Sequence, residues 1–425
     1  MIFTKAKVMC VPSDQSPDLA GKITPLSDAP LKIVQVGLRF SPNLGDGVIS
    51  DCIAHGLTQF LPNAQVRFLD MSGRTQAGDQ VVRNRSLALK VLETLPAPLA
   101  RMLVQNRLNK LIDTFEDAWC QQLKADFAVI GGGQIFSDKL LNFPIKIGRV
   151  ALILAAGGVP AAVFAAGVSK NWSTQGTRLF RSLAALNPAL IGLRDAGSIA
   201  SWTAQFGAAP APTLTVDPGL LAAACYGPAT GDATEVGLCV TDFGVLKHHA
   251  DAHVAGSRSE PVRFYVETTR ALVAAGHHVA LFSNGEHGDE DLLARVKAAV
   301  MATPDLTGKA RVEARADSPA HLARRIGGYS CVIAHRLHAC ILAYSYGRPL
   351  VGLGWDKKLS SFFTMIKQEA HYTDAPDLSG PQIAELANSA MTTGVDTVHH
   401  ARMQRTSLEA FETLAQVVVS QTRAE

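Results

Sequence analysis

Charge and aromatic rings are both scarce in this chain: 18% of its 425 residues are Asp, Glu, Lys or Arg, and 6% are Phe, Trp or Tyr. The net charge of +3 is too small for the dense basic face that a nucleic-acid partner requires, so any anion is expected to bind locally. Long polar low-complexity tracts are missing, and with 47% apolar residues the composition predicts a globular chain nearly throughout. No Cys-x-x-Cys pair occurs. The seven cysteines (Cys10, Cys52, Cys120, Cys225, Cys239, Cys331, Cys340) are odd in number and scattered, which disfavours zinc or dithiol chemistry and suits small core residues in a reducing compartment. At the start of the chain Ser, Asp, Gln and Pro interrupt any apolar run, so no secretory signal is read there and a cytoplasmic location is expected. One uncharged stretch, Val150 to Val168, has nearly the length of a membrane span, but Gly157, Gly158 and Pro160 break it. A buried helix end, a turn and a buried strand account for it better.

What the sequence does contain is a repeated alternation of short apolar runs and helix-length stretches. At roughly 150 residues per domain, the length suggests two or three such units, of which two are expected. In the first half the runs are Lys32 to Val36, Val66 to Met71, Phe127 to Ile130, Ala162 to Ala165, Leu190 to Leu193 and Thr213 to Val216. Runs that are apolar at every position suit a parallel sheet covered on both faces. The stretch from Asp217 to Glu235, rich in Pro, Gly, Ala and Thr, is the expected domain crossing. Strands then resume at Val236 to Val240, His278 to Phe282, Arg311 to Ala314, Cys331 to Ala334 and Leu350 to Leu353, with helices such as Glu267 to Ala275 and Ala339 to Tyr346 between them. The expected architecture is α/β: two Rossmann-like, doubly wound domains facing each other across a cleft, a GT-B-like arrangement. Its bounds are an extension over 1–30, a first domain over 31–225, a second over 234–375 and a helical segment over 376–425.

Residues 83–124 depart from this rhythm as a helical insertion carrying Arg83, Arg85, Lys90, Arg101, Arg107 and Lys110. A basic amphipathic surface meeting a membrane that bears a lipid-linked substrate is one reading. A solvated helical hairpin packed on the first domain is preferred, because Glu93, Asp113, Glu116 and Asp117 dilute the charge and no aromatic anchors stand among the basic residues from Arg83 to Lys110.

Several polar groups follow directly on strands, where a doubly wound sheet collects its ligands. Asn43, Gly45 and Asp46, after the first strand, are turn and cap formers. Gly131, Gly132 and Gly133 end the run Phe127 to Ile130 and serve either as a ligand loop of free amides or as a tight structural turn. Arg194 and Asp195 follow Leu193; Asp195 can cap the next helix while Arg194 points toward the cleft, or the two can simply pair. Asp217 closes the last run of the first half, as a turn former or a cleft carboxylate. The strongest local signal is His335-Arg-Leu-His, placed between a strand and the helix from Ala339. Cations at a helix amino end oppose its dipole by about 1 kcal/mol or less each, so Arg336 and His338 there point to an anion site rather than to folding. Asp356, Lys357 and Lys358 sit similarly after the last strand.

In order, Asn-Leu-Gly-Asp at 43–46, Gly-Gly-Gly at 131–133 with Phe136 and Asp138 following, Leu-Arg-Asp at 193–195, Val-Asp-Pro at 216–218, Arg-Leu-His at 336–338 and Gly-Trp-Asp-Lys-Lys at 354–358 resemble the polysaccharide pyruvyl transferase family over roughly residues 31–370. The resemblance implies a GT-B-like fold, phosphoenolpyruvate as donor and co-substrate with no further cofactor or metal, and a sugar or lipid-linked oligosaccharide acceptor in exopolysaccharide or other surface-polysaccharide synthesis. It also implies that Arg336, Leu337 and His338 bind the donor, with Arg194 contributed from the facing domain. Asn43, Gly45, Asp46, Gly131, Gly132, Gly133, Asp138 and Asp217 are left to line the acceptor side of the cleft. Chemistry agrees: a phosphate and a carboxylate on three carbons call for two guanidinium groups. His338 can supply or relay a proton near neutral pH, Lys358 can stabilise departing phosphate, and Asp46 or Asp138 can act as base. Two other readings keep the fold: a glycosyltransferase using a nucleotide sugar, distinguished by uridine diphosphate binding, and a non-catalytic saccharide-binding assembly protein, distinguished by lack of turnover.

Overall fold

The computed structural model describes residues 30–76, 96–207, 210–244, 260–355 and 357–422. Cys10, the residues of the insertion before Pro96, and Asp356 lie outside that set. The first sheet holds β1 (Leu31–Gly37), β2 (Ala64–Asp70), β3 (Phe127–Phe136), β4 (Ala161–Val168), β5 (Ile191–Leu193) and β6 (Thr213–Leu214), in the order β2-β1-β3-β4-β5-β6. The second holds β7 (Glu235–Cys239), β8 (His278–Phe282), β9 (Ala310–Val312), β10 (Cys331–Ala334), β11 (Leu350–Leu353) and β12 (Tyr372–Thr373), in the order β12-β11-β10-β7-β8-β9. Every strand pairing is parallel. The all-apolar runs form the core because both faces are covered: β4 is buried at all eight positions. Val150 to Val168 divides into the end of the helix Asn142–Ala156, a turn and β4, and no described helix is long and apolar enough to cross a membrane.

Each sheet reverses its direction of growth once, between β1 and β3 in the first and between β7 and β10 in the second. At such a point the loops leaving the strands diverge and open a crevice at the carboxyl edge. The two crevices face each other. The Leu44 amide donates to the Asn284 carbonyl at 2.9 Å, and Arg315 donates to the carbonyls of Pro42 (3.3 Å) and Gly285 (3.2 Å). These bonds join the loop after β1 to the loop after β8.

Two features differ from the sequence reading. The triple glycine does not lie beyond its strand, because β3 continues through it to Phe136 with a register shift between Gly133 and Phe136. A side chain at Gly131 would run into the Phe164 carbonyl of β4, and Gly132 combines φ +81 with close packing on Ile49. Those two glycines therefore serve strand packing. Secondly, the segment after 376 is not one appendage. Helix Gly380–Thr393 covers the second sheet, whereas helix Thr397–Thr422 returns to the first, burying Phe411, Leu414 and Val418 with Ile33, Phe127 and Phe164. The crossing from Asp217 is also more ordered than its composition suggests, since Pro218–Leu221 and Ala222–Tyr226 are short helices.

Candidate active site

Asn43 caps the helix Leu44–Phe60 with its side chain, which accepts from the Gly45 amide at 3.4 Å. That cap sets Asp46 in the first turn, facing the crevice between β1 and β3. Burial pushes the Asp46 carboxyl up to about 6, opposed by a hydrogen bond from Ser41 and by the charge of Arg336, and helped by nearby Glu286. Gly133 lies against Asp46, with 3.9 Å from its Cβ position to the carboxylate.

From the opposite sheet, Arg336 is the cap residue of helix Leu337–Ser345 and follows β10. Its guanidinium is held by the fully buried Asp289, through Nε at 2.8 Å and a terminal nitrogen at 2.6 Å. The other Asp289 oxygen accepts from the Asp242 amide at 2.8 Å, so the carboxylate is fixed at both ends. Burial nevertheless raises the Asp289 pKa to about 6. His338 sits in the first turn of the same helix with its ring packed on Gly45, where any larger residue would collide with it. The His338 Nε2 is shielded from water and has no hydrogen-bond partner among the described residues.

Arg194, only 5% exposed, reaches in from β5 and is held by Gln134 at 2.8 Å, Asp195 at 3.4 Å and Asp217 at 3.9 Å. Asp195 also caps helix Ala196–Phe206 through the Ser198 amide. The Asp217 carboxyl is shifted upward by burial, against the pull of Arg194 and the Gly219 amide. Arg194, Asp217, Leu337 and Lys358 line one shallow, open pocket. Lys358 lines that pocket beside the Trp355 ring.

The charges of Arg194, Arg336 and Lys358 all act on His338 and, together with the larger effect of burial, lower its pKa to about 3. In the free site His338 is therefore neutral near neutral pH and lacks the acidic proton of an imidazolium, which amends the role expected from its ordinary pKa. The site thus draws together Asn43, Gly45, Asp46 and Gly133 from one crevice, Arg336, Leu337 and His338 from the other, and Arg194, Asp217 and Lys358 along the side. Asp138 is placed otherwise. Its carboxylate accepts from the Ser173 amide and packs on Gly176, so it orders the turn after β4.

Three contributors escaped the sequence reading. Gln134 has a visible signal, being the residue after the glycines. Asp289 and Glu286 have none, because they lie at the start of an ordinary helix, His287–Met301. Among the described residues no group of His, Cys, Asp and Glu is arranged to hold a metal ion.

Comparison with known proteins supports the fold. A UDP-N-acetylglucosamine 2-epimerase superposes with a TM-score of 0.50 at 9% identity, covering 90% of this chain and 93% of its own. A protein from Listeria monocytogenes assigned to the same activity gives 0.52 at 11% identity, covering 93% and 98%. The Escherichia coli ADP-heptose lipopolysaccharide heptosyltransferase II gives 0.41 at 15% identity, covering 85% and 99%. The two-domain α/β architecture is the GT-B-like one shared with the two epimerases, and at these identities the likeness concerns fold alone. No curated protein sequence matches the chain. The family model for polysaccharide pyruvyl transferase matches residues 43–357, a span that includes every residue of the site except Lys358. The chain belongs to the polysaccharide pyruvyl transferase family.

Proposed function

We propose that this protein transfers the pyruvyl group of phosphoenolpyruvate to two hydroxyls of a sugar, forming a ketal during synthesis of an exopolysaccharide or other surface polysaccharide in the cytoplasm. The observation that carries this reading is the convergence of Arg194, Arg336 and Lys358 on His338 across the cleft. Three fixed cations match a small donor bearing a phosphate and a carboxylate, and guanidinium groups offer the paired geometry both anions prefer. In this reading the donor is a co-substrate and the protein's own cations do the neutralising.

The steps assign roles as follows. A proton adds to the methylene carbon of the donor, and a sugar hydroxyl adds to the neighbouring carbon and loses its proton. Inorganic phosphate then departs, and the second hydroxyl closes the ketal with loss of its own proton. One of the two hydroxyl protons replaces that taken up by carbon and the other leaves with phosphate. His338 delivers the first proton, because the bound donor's negative charge offsets the cations that keep it neutral at rest. Asp46, raised to about 6, is mostly ionised at neutral pH and accepts the hydroxyl proton. Arg194 and Lys358 stabilise the departing phosphate.

Calorimetric titration with phosphoenolpyruvate, repeated on Arg336→Ala, tests the donor. Binding that disappears in the variant is expected. Silence toward phosphoenolpyruvate, with clear binding of a uridine diphosphate sugar, would make the protein a glycosyltransferase.

A further inference from the structure

Among the described residues, seven large hydrophobic side chains are conspicuously exposed, and three of them lie together on helix Ala97–Asp113: Leu99 at 40%, Met102 at 50% and Leu103 at 44%. Their spacing places them on one face. The same face continues with Asn106, Arg107 and Lys110, all exposed. Neither Arg107 nor Lys110 forms an ion pair with a described residue. Two of the acids that dilute the charge of this region are committed elsewhere, since Arg149 takes both Asp113 (3.6 Å) and Glu116 (2.6 Å). The outward face is therefore an apolar wedge followed by two cations.

Its position relative to the cleft is also defined. Asp113 meets Arg149, well along helix Asn142–Ala156. Eight residues earlier, Gln105 bonds Gln175 at 2.6 Å, beside the start of the helix that follows β4 and hence at the carboxyl edge of the first sheet. Helix Ala97–Asp113 thus runs parallel to helix Asn142–Ala156, from the carboxyl edge toward the amino edge of the sheet. At about 1.5 Å per residue, Leu103 to Leu99 project about 3–9 Å past Gln105, on the side where Asp46 and Arg194 lie.

We propose that this face docks on an anionic phospholipid bilayer, holding the cleft toward a membrane that presents the acceptor on a lipid. The docking stands by itself; the lipid-linked acceptor rests on the transferase reading above. A second copy of the chain fits less well, because three partly exposed side chains fall far short of the ~800 Å² per partner of a stable interface. An apolar wedge with adjoining cations suffices for reversible attachment to anionic lipid.

The test is co-sedimentation of the full chain with vesicles of phosphatidylcholine alone and with about one-third phosphatidylglycerol. Binding to the anionic vesicles only, weakened by salt, is expected, and about tenfold weaker binding in Met102→Glu/Leu103→Glu. Both positions are exposed, so circular dichroism and turnover of a water-soluble acceptor should be unchanged. Absence of binding, equal binding by the variant, or a wild-type dimer that the variant dissociates would overturn the proposal. Failure of phosphoenolpyruvate to bind while vesicles still do would remove the transferase reading and leave the docking intact.

Discussion

Binding of phosphoenolpyruvate near neutral pH is expected to draw a proton onto His338. The free site lowers this histidine from 6.5 to about 3 by burial and by Arg194, Arg336 and Lys358. At about 1.4 kcal/mol per pH unit, protonation is disfavoured by about 5 kcal/mol relative to a solvated imidazole. A donor carrying close to three negative charges offsets all three cations and leaves mainly the burial contribution, which the anion's own field opposes. Return of the pKa to its ordinary 6.5 would give uptake of about a quarter of a proton at pH 7, rising toward one as the pH falls. Titration calorimetry in two buffers of different ionisation enthalpy measures the number directly. The donor's phosphate and Asp46 also exchange protons, so the informative quantity is wild type minus His338→Gln, and it should be positive by about a quarter of a proton at pH 7. Equal uptake by a variant that still binds the donor would refute the reasoning and transfer the proton's origin to another group.

Two more expectations follow from the carboxylates. Asp289→Asn leaves Arg336 charged without its buried partner and should cost about 3 kcal/mol in urea unfolding above pH 7. Because the wild-type carboxyl is raised from 3.8 to about 6 in the fold, wild type takes up a proton that the variant cannot, and that difference should grow as pH falls from about 6 toward 3.8; a constant difference would argue for packing alone. Asp46→Asn should lower turnover about a hundredfold. It should also remove the loss of kcat/KM that the wild type shows as Asp46 protonates below about 6; an unchanged acidic limb would exclude Asp46 as base.

Much of the architecture was legible because parallel strands buried on both faces are apolar at every residue. His278–Phe282, Cys331–Ala334 and Leu350–Leu353 have the predicted bounds. β12, two half-buried residues, carries no such pattern and was not read. The glycines at 131–133 were seen, but their purpose depends on the Phe164 carbonyl of the next strand, which local sequence cannot encode. Asp138 looked equivalent to Asp46 because both are acids near turns; only the position of Ser173 separates them.

By itself the sequence determined the two βα domains and the six short motifs whose order identifies the family, since hydrophobic period and turn chemistry are local properties. Tertiary structure decided what those motifs do together. It placed Asp289 under Arg336 and Gln134 under Arg194, and set Gly45 against the His338 ring. It also made His338 neutral, because a pKa depends on burial and on charges brought near from distant parts of the chain. The outward face of helix Ala97–Asp113 belongs to the same class: whether its leucines are covered, and whether its neighbouring acids are already paired, is decided only when the helix meets Arg149 and Gln175.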